Sequence, residues 1–279
     1  MMSRHAAPVH PATRIRVGIG GWNFPDWRGG AFYPKGLAAS QELHFASRAL
    51  TMIEVNATYY ATQSPTTFAR WHGETPEDFV FAVKAHRLAT HRKSLAEGAE
   101  AVVHFIDSGI TELKHKLGPI VWQLPPFRRF DADDVECFFA LLPDAADGLP
   151  LRHVLEPRHP SFACAEYLAL ARSYGVATVA TDSPEFPQLF DPTADFIYAR
   201  LMQSDAAQPA GYADAELERW AARARAWQRG ALPGDLPLID ARASRQAAAP
   251  ARDVFIAFIS GAKARNPAAA QALIARLGA

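Results

Sequence analysis

The run His153-Val-Leu-Glu-Pro-Arg-His-Pro-Ser-Phe-Ala-Cys-Ala-Glu-Tyr-Leu-Ala-Leu-Ala-Arg-Ser-Tyr-Gly-Val-Ala-Thr-Val-Ala-Thr-Asp182 contains one complete structural unit. His153 to Glu156 and Val176 to Thr181 are short apolar runs with β-branched residues, bounded by Pro and Gly, which is the pattern of buried strands. Between them Ser161 precedes an apolar-periodic stretch, Glu166 to Tyr174, that reads as a helix with a capping side chain at its entry. Two strands joined by a helix of this length can lie parallel and side by side, because a parallel pair needs a long crossover.

The same alternation extends in both directions. Further strands are expected at Ile15 to Gly20, Thr51 to Val55, Phe79 to Lys84, Pro119 to Leu124, Phe196 to Leu201 and Val254 to Ile259, making eight. Ser40 before Gln41 to Ala49, Ser64-Pro65 before Thr66 to Trp71, and Asp131 before Val135 to Leu142 mark helix entries. Ser94 to Lys116 reads as one longer helical segment, Asp214 to Gln228 as another, and Asn266-Pro267 opens a last helix through Leu277; only Ser183 to Asp195 lacks a helix. Eight strands with about seven helices predict an α/β fold, a single closed (β/α)8 TIM barrel over residues 15–279 behind a loose N-terminal tail, 1–14. The alternative is a doubly wound open sheet. It would carry a glycine-rich phosphate turn after the first strand, but Gly18, Gly20 and Gly21 run into Trp22-Asn23-Phe24 and not into a GxGxxG helix start.

The 279 residues are 49% hydrophobic and 21% charged, with 29 basic side chains against 29 acidic ones. Disorder, a fibrous repeat and a disulfide scaffold are all excluded by that composition and by only two cysteines. A neutral total gives no support to broad nucleic-acid binding, which relies on a basic face. No segment approaches the roughly 18 apolar residues of a membrane span, and no secretory h-region opens the chain, so a cytoplasmic protein with no membrane partner is expected. Cys137 and Cys164, without CxxC spacing, are expected to be buried free thiols.

In a barrel, alternate strand residues point inward and functional groups gather where strands end. Six consecutive strands, the second to the seventh, end in polar groups. They supply Glu54 and Asn56, then Lys84, Gln123, Glu156 with Arg158, Asp182, and Arg200. Such a mouth would hold three acids and three bases, whose mutual pKa shifts suit acid–base chemistry and equally suit a static ion-pair lattice. Ser260 to Pro267, with Gly261, Lys263 and Arg265 ahead of a helix start, is a candidate anion pocket; an ordinary capped loop is the alternative. Trp22, Phe24, Trp27, Phe32 and Tyr33 in the first loop, and Tyr59 and Tyr60 after the second strand, either wall a pocket or pack a long loop.

Metal ligation is weakly supported: only His86 and His159 fall near the mouth, without HxH or HExxH spacing, and no metal or cofactor is implied. No GxSxG elbow is present. Lys84 has the desolvated setting of a Schiff-base lysine, but neighbouring acids are expected to keep it ion-paired and charged.

These segments together resemble the YecE-like proteins, the family of domain of unknown function 72. The resemblance rests on Gly-Ile-Gly-Gly-Trp-Asn-Phe-Pro-Asp-Trp-Arg-Gly from Gly18, Phe-Tyr-Pro from Phe32, Ile-Glu-Val-Asn-Ala-Thr-Tyr-Tyr from Ile53 and Phe-Ala-Val-Lys-Ala from Phe81. It continues through Thr90-His91, Lys-Leu-Gly-Pro-Ile-Val-Trp-Gln-Leu-Pro-Pro from Lys116, Glu-Pro-Arg-His-Pro-Ser-Phe from Glu156, Asp182, and Tyr-Ala-Arg-Leu from Tyr198. It implies a TIM barrel with general similarity to the endonuclease IV and xylose isomerase group, and no particular activity. The chain departs from the commoner pattern in having Met202-Gln203 in place of His-Gly, and Ser260-Gly261 in place of Asn-Asp.

The expectation is an enzyme doing metal-independent acid–base chemistry on a small anionic or polar substrate. In it Glu156 is the base or acid, Lys84 and Arg158 stabilise negative charge, and Arg200 orients the ligand, with Glu54 and Asp182 also catalytic. Gln123, Asn56, Trp22, Tyr59, Lys263 and Arg265 are the further substrate-binding candidates. Two alternatives are a divalent-metal phosphoesterase acting on nucleic acid, and a non-catalytic barrel binding a sugar, nucleotide or RNA fragment. Oligomeric state is not legible.

Overall fold

The computed structural model describes residues 14–246 and 251–278; all but one residue of the expected N-terminal tail lies outside them. Eight parallel strands close into a barrel. They are β1 (Ile15–Gly20), β2 (Met52–Val55), β3 (Val80–Lys84), β4 (Leu117–Gln123), β5 (His153–Glu156), β6 (Ala177–Thr181), β7 (Phe196–Leu201) and β8 (Asp253–Phe258). Each pairs with its neighbour in sequence, and β1 closes the ring against β8 with Ile15 opposite Val254 and Ile19 opposite Phe258. The open-sheet alternative is thereby removed.

Helices α1 (Glu42–Ala49), α2 (Pro65–Glu74), α3 (Ala99–Ile106), α4 (Ala132–Leu141), α5 (Ala165–Tyr174), α6 (Asp214–Gln228), α7 (Ala241–Gln246) and α8 (Asn266–Leu277) surround the strands. The expected entry caps form at α2 and α4 but not at α1 and α5, whose flanking residues Gln41 and Cys164 make no side-chain cap: Ser40 lies within a 3-10 turn ahead of α1, and Ser161 Oγ accepts from the Phe130 amide instead. Ser64 accepts a hydrogen bond from the Thr67 amide at the start of α2, and Asp131 accepts one from the Asp134 amide at the start of α4. Gly175, left-handed at φ 63°, ends α5 two residues before β6 begins. The connection from β6 to β7 has no helix, as expected.

Three further features differ from the sequence-based expectation. Ser94 to Lys116 is not one helix: short 3-10 turns at Leu95–Gly98 and Ile110–Lys116 flank α3, and the chain reverses through Gly109 at φ 99°. A β-carbon there would lie 2.7 Å from Pro65, so the break is tied to close packing against α2. The cysteines are free but not buried, Cys137 being exposed and Cys164 half-buried. Helix α7 and a two-residue hairpin, Ala145–Ala146 with Leu149–Pro150, carry too little periodicity to be read from sequence.

Period-two alternation divides the core. Met52, Ala82, Val121, Val154, Ala177, Val179, Phe196, Tyr198, Phe255 and Ala257 fill the barrel interior, while Ile53, Phe81, Val83, Trp122, Leu155 and Ala199 face the helices. The next inward position of β2, β3, β4, β5 and β7 is Glu54, Lys84, Gln123, Glu156 or Arg200, so the apolar interior is capped by a polar layer at one end. In β1 the inward positions beyond Arg16 are Gly18 and Gly20, and a β-carbon on Gly18 would sit 1.8 Å from the Met52 carbonyl oxygen. Gly18→Ala is therefore expected to destabilise the chain by at least ~1–3 kcal/mol. Gly73→Ala, with open space around its position in α2, should be neutral or gain up to about 1 kcal/mol. Urea unfolding of both variants distinguishes the two outcomes.

Candidate active site

At the C-terminal end of the barrel Arg200 bridges two glutamates. Its Nε and Nη2 donate to Glu54 Oε2 and Oε1 at 3.2 and 3.0 Å, and Nη1 lies 2.5 Å from Glu156 Oε2. Tyr198, two residues earlier on the same face of β7, donates its hydroxyl to Glu54 Oε2 at 2.7 Å. Gln123 Nε2 donates to Glu156 Oε2 at 2.6 Å, and Arg158 Nε and Nη2 donate to Glu156 Oε1 at 3.2 and 3.1 Å. Glu54, Glu156 and Arg200 are 0%, 3% and 1% exposed, so water screens these pairs little. Burial alone would raise the Glu156 carboxyl, but Arg200, Arg158 and Lys84 outweigh it and hold that group below the ordinary carboxylate range.

Lys84 stands apart from this lattice. Its Nζ lies 4.2 Å from the centre of the Tyr59 ring and has no ion pair or side-chain hydrogen bond among the described residues. The expected ion pair is absent because Arg200 and Arg158 have already claimed the two carboxylates. Burial lowers its pKa to about 8, Arg200 and Arg158 repel its charge, and Glu156 and Glu54 offset only part of this. Tyr59 in turn places its hydroxyl 3.2 Å from His91 Nε2. Arg158 is braced from outside by Phe186, whose ring centre is 4.4 Å from the guanidinium carbon.

Other expected site residues do not join this group. Asp182 follows Thr181, whose parity is inward, so its own side chain takes the outward register of Ala180. It accepts from the Met202 amide at 2.6 Å and from the Tyr212 hydroxyl at 2.7 Å, and burial raises its pKa despite those bonds. It lines a separate cavity of about 470 Å³ with Gln203, Tyr212 and Trp220. Asn56 is half-buried, reaching only the Glu54 carbonyl at 3.5 Å. Trp22 packs edge-on to Trp71, with ring centres 5.0 Å apart, and so belongs to the outer core.

The loop after β8 is engaged by its own chain. Gly261 at φ 56° leaves no room for a β-carbon, which would meet Ser204 and Met202 oxygens at 2.7 and 2.8 Å. Lys263 Nζ lies over the Phe24 ring at 4.5 Å, Arg265 donates to the Ala206 carbonyl at 3.3 Å, and Asn266 accepts from Ser204 Oγ at 2.7 Å. The close approach that a glycine permits is thus made to protein. The first-loop aromatics do the same, Trp27 donating its Nε1 hydrogen to the Lys263 carbonyl.

A divalent metal of the kind the endonuclease IV resemblance suggests does not fit these groups. Glu54 and Glu156 are committed to guanidinium groups. His86 and His159 each use Nδ1 to accept a backbone N–H, from Leu88 and Ser161. Among the described residues no three His, Cys, Asp or Glu side chains are grouped to hold an ion.

The family profile described as "Protein of unknown function DUF72" matches residues 16–279. The chain belongs to the DUF72 family. A DUF72 family protein from Thermotoga maritima MSB8 superposes with a TM-score of 0.65 over 93% of this chain and 96% of that one, at 24% identity. Another, from Enterococcus faecalis V583, gives 0.66 over 95% and 96% at 17% identity. Those likenesses establish the shared fold. The UPF0759 protein YunF of Bacillus subtilis (strain 168) is 30% identical over 118 residues, only 40% of each chain. No helix of the described residues in this DUF72 protein is long and apolar enough to cross a membrane.

Sequence reasoning missed Tyr198, His91, Tyr212 and Phe186. Only Tyr198 left a usable signal, its spacing of two from Arg200. The other three reach their partners through loops.

Arg200→Leu should cost ~3–5 kcal/mol at neutral pH, because it leaves the buried Glu54 without a cation and Glu156 with Arg158 alone. That deficit should shrink as pH falls, because the stability Arg200 confers by holding Glu156 below the ordinary carboxylate range is lost as that group protonates; denaturant titrations at pH 7 and pH 5 read it. Lys84 adds a pH dependence of the same sign in a more alkaline window. Between about 8 and the ordinary lysine value of 10.5 the unfolded chain keeps a proton that the folded chain has released. Stability contributed by this site therefore rises with pH through that window. The difference in unfolding free energy between wild type and Lys84→Met should follow that rise, and a flat difference from pH 7.5 to 10.5 would contradict the depressed pKa.

Proposed function

We propose that this DUF72 protein is an enzyme that carries out metal-independent acid–base chemistry on a small anionic substrate at the C-terminal mouth of its barrel. One observation carries the reading: two carboxylates face three cations there, and Lys84 is the cation left over. The buried pairs Arg200–Glu54 and Arg200–Glu156 form a rigid floor. Arg158, half-buried, hydrogen-bonded to Glu156 and braced by Phe186, offers its remaining donors to a phosphate or carboxylate.

Proton transfer then falls to Lys84 and not to Glu156, whose two oxygens are already taken by Arg200, Arg158 and Gln123. With a pKa of about 8, roughly a tenth of Lys84 is free amine at pH 7, so it can both accept a proton and, when charged, stabilise an oxyanion. Glu156 and Glu54 keep the cations in place. Glu156→Gln is expected to act chiefly through stability and the position of Arg158.

The test begins with thermal shifts of the full chain against inorganic phosphate, citrate and sugar phosphates, with neutral sugars as controls. Saturable stabilisation by the anions alone is expected, weakened at least tenfold in Arg158→Met. Incubation with a cell metabolite extract in EDTA, followed by mass spectrometry, should then show one species consumed, with Lys84→Met slower by about 10²–10⁴-fold. Anion binding without turnover would instead favour a binding barrel, and activity abolished by EDTA would sink the metal-free mechanism.

A further inference from the structure

Among the described residues Lys84 is the mouth amine without an ion pair. The groups that face it are Glu54 from β2, Glu156 and Arg158 from β5 and the turn after it, Arg200 from β7, and Tyr59 from the turn after β2. The carboxylates are each fixed by a guanidinium group, and neither forms an ion pair with the amine. The Nζ instead rests on an aromatic face, 8% of the residue being exposed. An amine in such a setting is desolvated yet reachable from the mouth, which is how a lysine is activated towards carbonyl compounds.

From this arrangement we propose that Lys84 binds its substrate covalently, its side-chain nitrogen condensing with the carbonyl carbon of a small anionic aldehyde or ketone whose charged group sits on Arg158. This rests on the function proposed above and narrows its substrate class. The nitrogen lone pair forms the new carbon–nitrogen bond. The carbonyl oxygen leaves as water with the two hydrogens of the neutral amine, and no oxidant or reductant is consumed. The resulting imine, once protonated, draws electrons from a bond at the adjacent carbon, so the chemistry it serves is proton removal or bond cleavage next to the carbonyl. The low lysine pKa supports the step, since roughly 300 times more free amine is present at pH 7 than for an ordinary lysine.

Reductive trapping tests it directly. The full chain is incubated at pH 7 with dihydroxyacetone phosphate, pyruvate or glyoxylate, each with sodium cyanoborohydride, and analysed by intact mass and peptide mapping. The expected result is one adduct per chain, heavier by the carbonyl compound less one oxygen atom and located at Lys84. Its formation should be at least tenfold faster than at Lys35, Lys93 or Lys114, and suppressed by inorganic phosphate. Lys84→Arg, which keeps the positive charge, should lose the adduct while phosphate still raises its melting temperature. Adducts spread over surface lysines, with phosphate still stabilising the wild type, would overturn the covalent step and leave the anion site standing. If phosphate neither stabilises the protein nor protects Lys84, both ideas fail.

Discussion

The Arg200 guanidinium between Glu54 and Glu156 is the interaction on which the mouth depends. Three charges that water would otherwise solvate are packed at the top of an apolar interior, and each is tolerable only because the others are present. The bridge joins β7 to both β2 and β5, strands that are not neighbours, and so ties distant parts of the ring together. Tyr198 and Gln123 supply the remaining hydrogen bonds that buried carboxylates need. The same pairing leaves Lys84 without a counter-ion. The cohesion of the floor and the lack of a counter-ion on Lys84 therefore have a common origin.

Surrounding groups make contacts within the protein. The histidines nearest the mouth cap short turns, the glycine after β8 admits a neighbouring loop, and the aromatic first loop closes over Lys263. Each motif has the residue types of a ligand site, and each is satisfied from within the protein. Among the described residues Lys84 and Arg158 keep donors that no protein group takes up, with the Tyr59–His91 pair beside them. Asp182 belongs to a different environment, facing Tyr212 and a cavity of its own.

Strand positions were legible to within a few residues, because the buried runs are short, apolar and punctuated by Gly and Pro. Glu54, Lys84, Gln123, Glu156 and Arg200 were legible for the same reason: each continues the inward parity of an apolar strand by one more step. Asp182 was misplaced because it lies one residue off that parity, beyond Thr181. The break at Gly109 escaped notice because its cause, close packing on Pro65, joins segments more than forty residues apart.

The sequence by itself determined the barrel and the charged layer at its mouth, since both follow from local periodicity: alternation sets which face a side chain takes, and chain order sets which strands adjoin. It could not determine how the charges pair. Whether Glu156 is met by Lys84 or by Arg200 and Arg158 depends on side-chain lengths and directions across the barrel, and it is the tertiary structure that gives both carboxylates to arginine and leaves the lysine free.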